Sequence, residues 1–364
     1  MKQWRNMEYK GRVLVAMSGG VDSSVAALLL KEQGYDVVGV TMQVWDYSEC
    51  DIEEGAGTCC SSIDVDDARA VADKLKFPFY VLNCEDKFHA KVITPFLNDY
   101  IHGRTPSPCV NCNTYLKFDH LIRKMRELEC DYLATGHYAQ ILKNEAGRNV
   151  IVASFDDWKD QTYFLFTIER NIIDRILFPI GHMKKEVVRA LAIEHGLINA
   201  RKKDSTGICF VGNGDYANFV KANVDADLLK PGLIRKYPDG EALGPHSGIH
   251  GFTYGQRKGL GLNHHEPLFV LKIDPVTHTV WVGEEKHLYT SEFETAECNL
   301  LDQIVPGENI KVRIRHHHPG AGAKLFPTEK GFRVRFDEPQ RAITPGQAAV
   351  FYRENQLLGG GWIV

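Results

Sequence analysis

The sequence contains no uninterrupted apolar run long enough to cross a bilayer, and residues 1–10 lack the apolar middle of a secretory signal. Both absences lead to the expectation of a cytoplasmic protein with no membrane partner. No repeat of solenoid length is present. Nine cysteines spread over 364 residues fall far short of the density of a disulfide scaffold, so catalytic or metal-binding thiols are the better default. A net charge of −4 argues against a chain that coats nucleic acid indiscriminately, while leaving room for a local basic groove. Residues 301–364 carry nine Lys and Arg against six Asp and Glu, an excess whose usual meaning is solvated surface.

What is present is an ordinary globular composition, in a chain long enough for two or three separate cores. Its first half alternates strand and helix patterns. Apolar runs at residues 12–17, 36–43, 78–83 and 132–134 read as strands, and helical periodicity appears from residue 25 and over 64–75 and 116–128. That alternation predicts an α/β fold with a doubly wound parallel sheet, whose ligand site lies at the strand C-terminal ends. After about residue 210 the texture changes to short β-prone runs (LFVLKI, TVWVG, KVRIR, FRVRF, AVFY) broken by Gly and Pro. A linking region over 215–263 and a small β barrel from about His264 are expected.

The segment SGGVDSS, Ser18 to Ser24, falls between the first strand and the first helix, where unpaired helix N–H groups and the helix dipole favour an anion. Gly19 and Gly20 let backbone approach phosphate oxygens, the serines add donors, and Asp22 is placed to hold the Mg2+ that accompanies a nucleotide. The bland reading, a glycine turn with an ordinary helix cap, accounts for most isolated SGG strings. No Gly-Lys-Ser/Thr ending follows, so this is not the usual γ-phosphate loop. It resembles the SGGxDS loop of the PP-loop ATP pyrophosphatases, which implies an adenylating chemistry.

Cys109 and Cys112 form a C-x-x-C in TPSPCVNCN, read as lying just before a helix that begins near Tyr115, and Cys209 lies in the turn DSTGICF. Sulfur transfer needs one cysteine to carry a sulfane sulfur and a second thiolate to release it. Cys209 and Cys112 suit these roles. Cys84, Cys130 and Cys298 read as buried small apolar residues, and Cys50, Cys59 and Cys60 stay open. Without a second C-x-x-C pair, a structural zinc site is disfavoured.

AMSGGVDSS, TPSPCVNCN, ATGHYA, KDQTYFL and DSTGICF, in this order and followed by ITPGQAAVFY, closely resemble the bacterial tRNA-specific 2-thiouridylases over nearly the whole chain. The resemblance implies ATP-dependent thiolation at C2 of the wobble uridine U34 of tRNA, with a cysteine desulfurase or sulfur-relay protein as partner. It implies a PP-loop catalytic domain over 1–212 with an adenine nucleotide α-hydrolase-like sheet. A linking, tRNA-binding domain over 213–275 and a C-terminal tRNA-binding β barrel over 276–364 would follow.

Carried over by motif, Ala16, Met17, Ser18, Gly19, Gly20, Val21, Asp22, Ser23, Met42 and Gly136 become ATP contacts. Cys112 becomes the nucleophile and Cys209 the persulfide carrier. Ser107, Pro108 and Cys109 fall near the target base, and His137, Lys159, Asp160, Gln161, Arg315, His316 and Gln347 against tRNA. Lys and Arg can meet phosphates, and Gln can read a base edge or a ribose hydroxyl. His137 taken alone reads better as a packed histidine at a strand end.

Two departures stand out. Many members carry Asp where this chain has Cys109, and His316 to His318 replace the Arg-Tyr pairing common after Arg315. Cys109, Cys112 and Cys209 together form a donor set sufficient for a [4Fe-4S] cluster with one open iron. Two rival functions are a PP-loop ligase acting on a small metabolite, which needs neither Cys112 nor Cys209, and a noncatalytic RNA-binding protein built on the barrel.

Overall fold

A computed structural model describes residues 9–45, 62–204, 207–211 and 214–364. Cys50, Cys59 and Cys60 lie outside these described residues. The chain divides into two compact units, the first formed by residues 1–91, 109–213 and 355–357 and the second by 92–108, 214–354 and 358–364.

The first unit is built on strands β1 (Arg12–Ala16), β2 (Asp36–Gln43), β3 (Phe79–Asn83), β4 (Tyr132–Thr135) and a short strand after a hairpin. That hairpin pairs β5 (Gln140–Lys143) with β6 (Asn149–Val152), and the short strand is β7 (Ile176–Leu177). The sheet order is β3-β2-β1-β4-β7, and its pairings are parallel. Both faces are covered, which is why β1 is a continuous apolar run with Val13, Leu14 and Val15 fully buried rather than an alternating one. Helix α1 (Val21–Glu32) is buried almost all round, and it shares a core with α2 (Ser62–Leu75) and the later helix that contains Val188 and Ala192. A helix whose middle, Val25 to Leu30, is apolar on nearly every side belongs to an interior.

After β3 the chain makes α3 (Glu85–Phe88) and a wide π turn, then α4 (Thr94–Ile101), which belongs to the second unit. The helix expected to begin near Tyr115 begins instead at Pro108. It runs as α5 (Pro108–Cys112), a π segment Asn113–His120 and α6 (Leu121–Glu127). The prolines of TPSPC read as breakers in the sequence, yet Pro at the first helical position lacks only an N–H that would be unpaired there anyway. Cys109 and Cys112 therefore lie inside the helical run and not before it. Helix α7 (Lys185–Glu194) completes the first unit.

In the second unit α4 packs on α8 (Tyr216–Asn223) through Phe96 against Phe219 at 6.0 Å and Tyr100 stacked on Tyr216 at 4.8 Å. A four-stranded sheet follows, made of β8 (Gly232–Lys236), β9 (Ala242–His246), β10 (Phe269–Asp274) and β11 (Thr279–Gly283), in the order β10-β11-β8-β9. LFVLKI and TVWVG, expected in the barrel, are β10 and β11 of this sheet, which therefore continues past residue 275 to Gly283. Alternation identifies a strand but not its partner, and the parallel β11–β8 pairing joins segments far apart in sequence.

Six further strands, β12 (Tyr289–Leu300), β13 (Asn309–Arg313), β14 (Ala321–Pro327), β15 (Gly331–Arg341), β16 (Ala348–Arg353) and β17 (Gln356–Ile363), form an antiparallel barrel closed by β12 against β17. Along β15, Val334 and Phe336 point into the core while Arg333 and Arg335 point out to Glu294 and Glu292 at 2.9 Å. Part of the basic excess of this region is thus spent on exposed ion pairs, as its bland reading held.

Candidate active site

The phosphate loop leaves β1 and enters α1 with its conformation fixed by two close approaches. Gly19 has φ +68°, and a Cβ there would lie 2.2 Å from the Asp64 carbonyl oxygen. Gly136, just after β4, would place a Cβ 2.6 Å from the Ser23 nitrogen. Only glycine fits at either position. Gly20 caps α1 without a side-chain hydrogen bond, which leaves the helix N-terminus to backbone N–H donors. Ser18 is exposed, Ala16, Gly20 and Gly136 are half-buried, and Met17, Gly19, Val21, Ser23 and Met42 are buried around it. The Ser23 hydroxyl donates to the Gly20 carbonyl at 3.2 Å and accepts from the Ser18 N–H at 3.2 Å, which folds the loop over the helix start.

Residues far along the chain complete this loop. The Asn199 amide donates to the Gly19 carbonyl and to Ser24 Oγ, both at 2.9 Å, while its own Oδ1, buried, has no hydrogen-bond partner among the described residues. A buried acceptor without a donor costs about 1–3 kcal/mol, so it is suited to meet a ligand or water donor. Lys202 pairs with Asp64 and Asp67 at the start of α2, so the basic run 201–203 directs at least one charge inward and not to a phosphate.

Asp22 is the electrostatic centre. Its carboxylate accepts from Lys185 Nζ at 2.7 and 2.8 Å and from the Tyr138 hydroxyl at 2.9 Å. Burial, then the Asp22 charge, raises the Tyr138 pKa, so this hydroxyl stays a donor. Lys185 also meets Asp204 at 2.8 Å, as do Lys159 at 2.8 Å and Arg189 at 2.7 Å. Burial alone would raise the Asp204 pKa, but the hydrogen bonds and charges of Lys159 and Lys185 outweigh it and hold the carboxyl at about 2. One carboxylate with phosphate oxygens for its remaining partners suits Mg2+, and Asp22 fits that description.

The side chains of the segment expected to face tRNA have partners within the protein. Lys159 is paired with Asp204; Asp160, buried, accepts from Ser154 N–H at 3.1 Å and from the Thr162 hydroxyl; Gln161 Oε1 accepts from Tyr138 N–H at 2.9 Å. His137 is buried, with Nδ1 at 2.7 Å from Thr135 Oγ1 and Nε2 at 3.5 Å from Lys117 Nζ. Burial first, then Lys117, pushes its pKa well below the usual value, so it is neutral at pH 7.

Cys109 is exposed in the first turn of α5, and Cys112, at its end, is half-buried. Cys209 is half-buried in a turn after Gly207, which has φ +85°. Its neighbour Phe210 is buried and meets Phe88 of α3 edge-on at 5.5 Å. Cys84, at the start of α3, is buried as expected, and burial pushes its thiol up to about 11, with Cys112 near enough to add to the rise. Residues 84–88 thus touch the surroundings of both Cys112 and Cys209, a convergence invisible in the sequence. Cys130 is buried and Cys298 half-buried, both with pKa raised by burial. The sulfurs of Cys109, Cys112 and Cys209 are not grouped within the 4.8 Å spread that one metal ion requires; among the described residues His264, His265 and Glu266 alone form such a group.

In the second unit, Ser107 and Pro108 are buried. Gln347 Nε2 donates to the carbonyls of Thr105 and Pro106 at 3.0 and 2.9 Å, and the Thr105 N–H donates to Pro345 at 2.9 Å. The TPGQ turn therefore cradles the segment leading into Cys109. Arg315 is exposed and donates to the Arg341 carbonyl at 3.2 Å, and His316 is half-buried beside His317, with ring centroids 4.4 Å apart.

Lys185, Asn199 and Arg189 lie in none of the motifs read from the sequence, and Tyr138 and Asp204 sit within ATGHYA and DSTGICF without a role having been read for either. One signal was available for Lys185: a lysine at the first position of a helix opposes the helix dipole, and such a local conflict points to a functional site. No helix among the described residues is long and apolar enough to cross a membrane.

Residues 11–213 match the family described as tRNA methyl transferase HUP domain, 217–284 the tRNA methyl transferase PRC-barrel domain and 279–363 the aminomethyltransferase beta-barrel domain. The tRNA-specific 2-thiouridylase MnmA of Acidobacterium capsulatum is 44% identical over 98% of this chain and 100% of its own length. The proteins of the same name from Geotalea uraniireducens and Clostridium botulinum are 45% and 46% identical over 97% of this chain and 94% and 98% of theirs. With this likeness running through all three segments and through the loop that receives Asp22, the chain belongs to the tRNA-specific 2-thiouridylase family.

Proposed function

We propose that this protein uses ATP to replace the C2 oxygen of the wobble uridine U34 of tRNA with sulfur. The observation that supports this most directly is the phosphate loop, open at the N-terminus of α1 with Asp22 beside it, in a chain whose relatives are 2-thiouridylases. In this reading Mg2+ and ATP bind at Ser18 to Ser24, and the uridine C2 oxygen attacks the α-phosphorus as pyrophosphate departs. The terminal sulfur of a persulfide on Cys209 then adds to C2, and AMP leaves with the former carbonyl oxygen. The Cys112 thiolate attacks Cys209 Sγ, which frees the thiocarbonyl and leaves a Cys112–Cys209 disulfide. A cysteine desulfurase or relay protein supplies the sulfane sulfur, and an external thiol reduces the disulfide. The base must be unstacked to reach the strand ends.

The division of labour follows the three segments, with catalysis in residues 1–212 and tRNA contacts shared by the four-stranded sheet, which ends at Gly283 and not at 275, and the barrel after it. Ser107, Pro108 and Cys109 lie near the base, and Arg315 and His316 on the RNA surface. Given their internal bonds, His137, Lys159, Asp160, Gln161 and Gln347 act in this reading by holding the site's walls. The cytoplasm, where tRNA and sulfur relays meet, is the proposed location.

Cys109 in place of Asp supports a second reading, a [4Fe-4S] cluster on Cys109, Cys112 and Cys209, on donor chemistry alone. Anaerobically purified protein containing iron and sulfide, both lost in Cys109→Ala, would support it; iron-free protein fully active with a persulfide donor would end it.

The main test is mass spectrometry of nucleosides from tRNA incubated with the pure protein, ATP, Mg2+ and a persulfide donor. 2-Thiouridine is expected from the wild type and none from Asp22→Asn. An Asp22→Asn protein that still thiolates would sink the assignment of the loop, and tRNA binding without product would favour the noncatalytic rival.

A further inference from the structure

We infer that His264, His265 and Glu266, on the loop that leads into β10, form a binding site for a divalent transition-metal ion of the Zn2+ class.

Neighbouring residues on an extended chain point to opposite sides. Here they do not. The imidazoles of His264 and His265 are stacked, with centroids 4.5 Å apart and planes 20° from parallel, and with Glu266 they bring one donor atom from each residue within 4.8 Å of one another. The bend that allows this is anchored at both ends. Leu260 and Leu268 are buried in the core of the four-stranded sheet, Gly259 and Gly261 turn the chain with φ +75° and +69°, and Pro267 stiffens the exit. His264 is half-buried, and its Nδ1 is held by the backbone of Glu266, 3.2 Å from the nitrogen and 3.3 Å from the carbonyl oxygen.

Two imidazoles and one carboxylate make a donor set that suits Zn2+ and its transition-metal neighbours, whereas Mg2+ and Ca2+ take oxygen ligands. With Nδ1–H of His264 donating to the Glu266 carbonyl, Nε2 is left to the ion, the kind of outer contact that fixes the tautomer of a ligating histidine. His265 Nε2 lies 3.9 Å from Glu266 Oε1, too far for a hydrogen bond. Donors on one tetrahedral Zn2+ stand about 3.3 Å apart, so an ion draws this pair together by roughly half an ångström. The side chains of His265 and Glu266 are 80% and 54% exposed and can turn that far without disturbing the core. As a bare ion pair the same contact contributes no more than about 1 kcal/mol. Three protein ligands leave the fourth position of the ion to water, and the bound ion ties together the end of the loop that presents the exposed Arg257 and Lys258.

Calorimetric titration of the full chain with Zn2+ tests the site. Thiolates also bind Zn2+, so the comparison is made in protein whose Cys109, Cys112 and Cys209 are all replaced by Ser. One Zn2+ per chain is expected to bind there, undisturbed by excess Mg2+ and released as pH falls through about 6.5 and the imidazoles protonate. His265→Ala should weaken binding by about tenfold or more, Glu266→Gln severalfold, and His264→Ala combined with His265→Ala should abolish it. All three side chains reach the surface, so these variants keep their fold, which circular dichroism checks. An unchanged Zn2+ isotherm in the double histidine variant would overturn the inference, as would the absence of any Zn2+ binding once the three thiols are gone, or displacement of the ion by equimolar Mg2+.

Discussion

The phosphate loop and the segment leading into Cys109 are both held by residues distant in sequence, but by different kinds of bond. Around the loop most partners are charged, with Asp22 on Lys185, Asp204 on three cations and Lys202 on two aspartates, beside the neutral Asn199 amide and Tyr138 hydroxyl. Around residues 105 and 106 they are neutral, with one amide side chain and one turn bonded to backbone carbonyls and an N–H. Ion pairs can be exchanged for a charged ligand at little net cost, because the ligand replaces the lost partner. Neutral hydrogen bonds to backbone have no such substitute, and so they fix geometry. The loop is built to be rearranged by what it binds, and the cysteine segment is built to stay where it is.

The sharpest break in that comparison comes from the thiols. Cys112→Ser and Cys209→Ser should each abolish 2-thiouridine while ATP-dependent pyrophosphate release persists, because activation precedes sulfur delivery. Cys84→Ser and Cys130→Ser should change mainly stability. Near wild-type thiolation by either of the first two variants, seen in nucleoside mass spectra, would remove the persulfide assignment.

Gln347→Leu comes next in size. It leaves the Thr105 and Pro106 carbonyls without their donor, at an expected loss of about 2 kcal/mol read from the urea midpoint, together with slower thiolation. Weaker tRNA binding at unchanged stability would instead make Gln347 an RNA contact.

His137 gives a pH test inside the first unit. Its folded pKa is depressed, so the stability it contributes is fully present above its unfolded pKa of about 6.5 and lost as pH falls toward the folded value. Wild-type stability should therefore drop between pH 7.5 and 5.5 more than that of His137→Gln in denaturant titrations at each pH. Equal drops would show that His137 does not titrate out of a buried neutral state.

The smallest effect is expected at the exposed surface of the barrel. Arg315→Ala should reduce the slope of log tRNA affinity against log salt by about one unit, with ATP binding unchanged. An unaltered slope would take Arg315 off the RNA surface.

Much of the first unit was legible because its central strands β1 and β2 are buried on both faces and its helices are periodic, so β1, β2, β3, β4, α1 and α2 stand close to where apolar patterning put them. The start of α5 was not, because the same proline that breaks a helix interior is accepted at its first turn. α4 was hidden for another reason: its contacts lie with α8, more than a hundred residues later, so no local pattern could assign it to the second unit.

By itself the sequence determined the chemistry on offer: a glycine-rich phosphate loop with one carboxylate, three thiols in two motifs, and a β-rich C-terminal half. Those are properties of residue type and short spacing, which local physics and motif order preserve. Only the tertiary structure decided which groups meet. It set Lys185 on Asp22, 163 residues apart, brought Phe210 to Phe88 so that the Cys209 turn and the Cys112 helix share α3, and turned His137 and Gln161 inward. Such pairings depend on how elements pack, and packing joins positions whose sequence separation carries no signal.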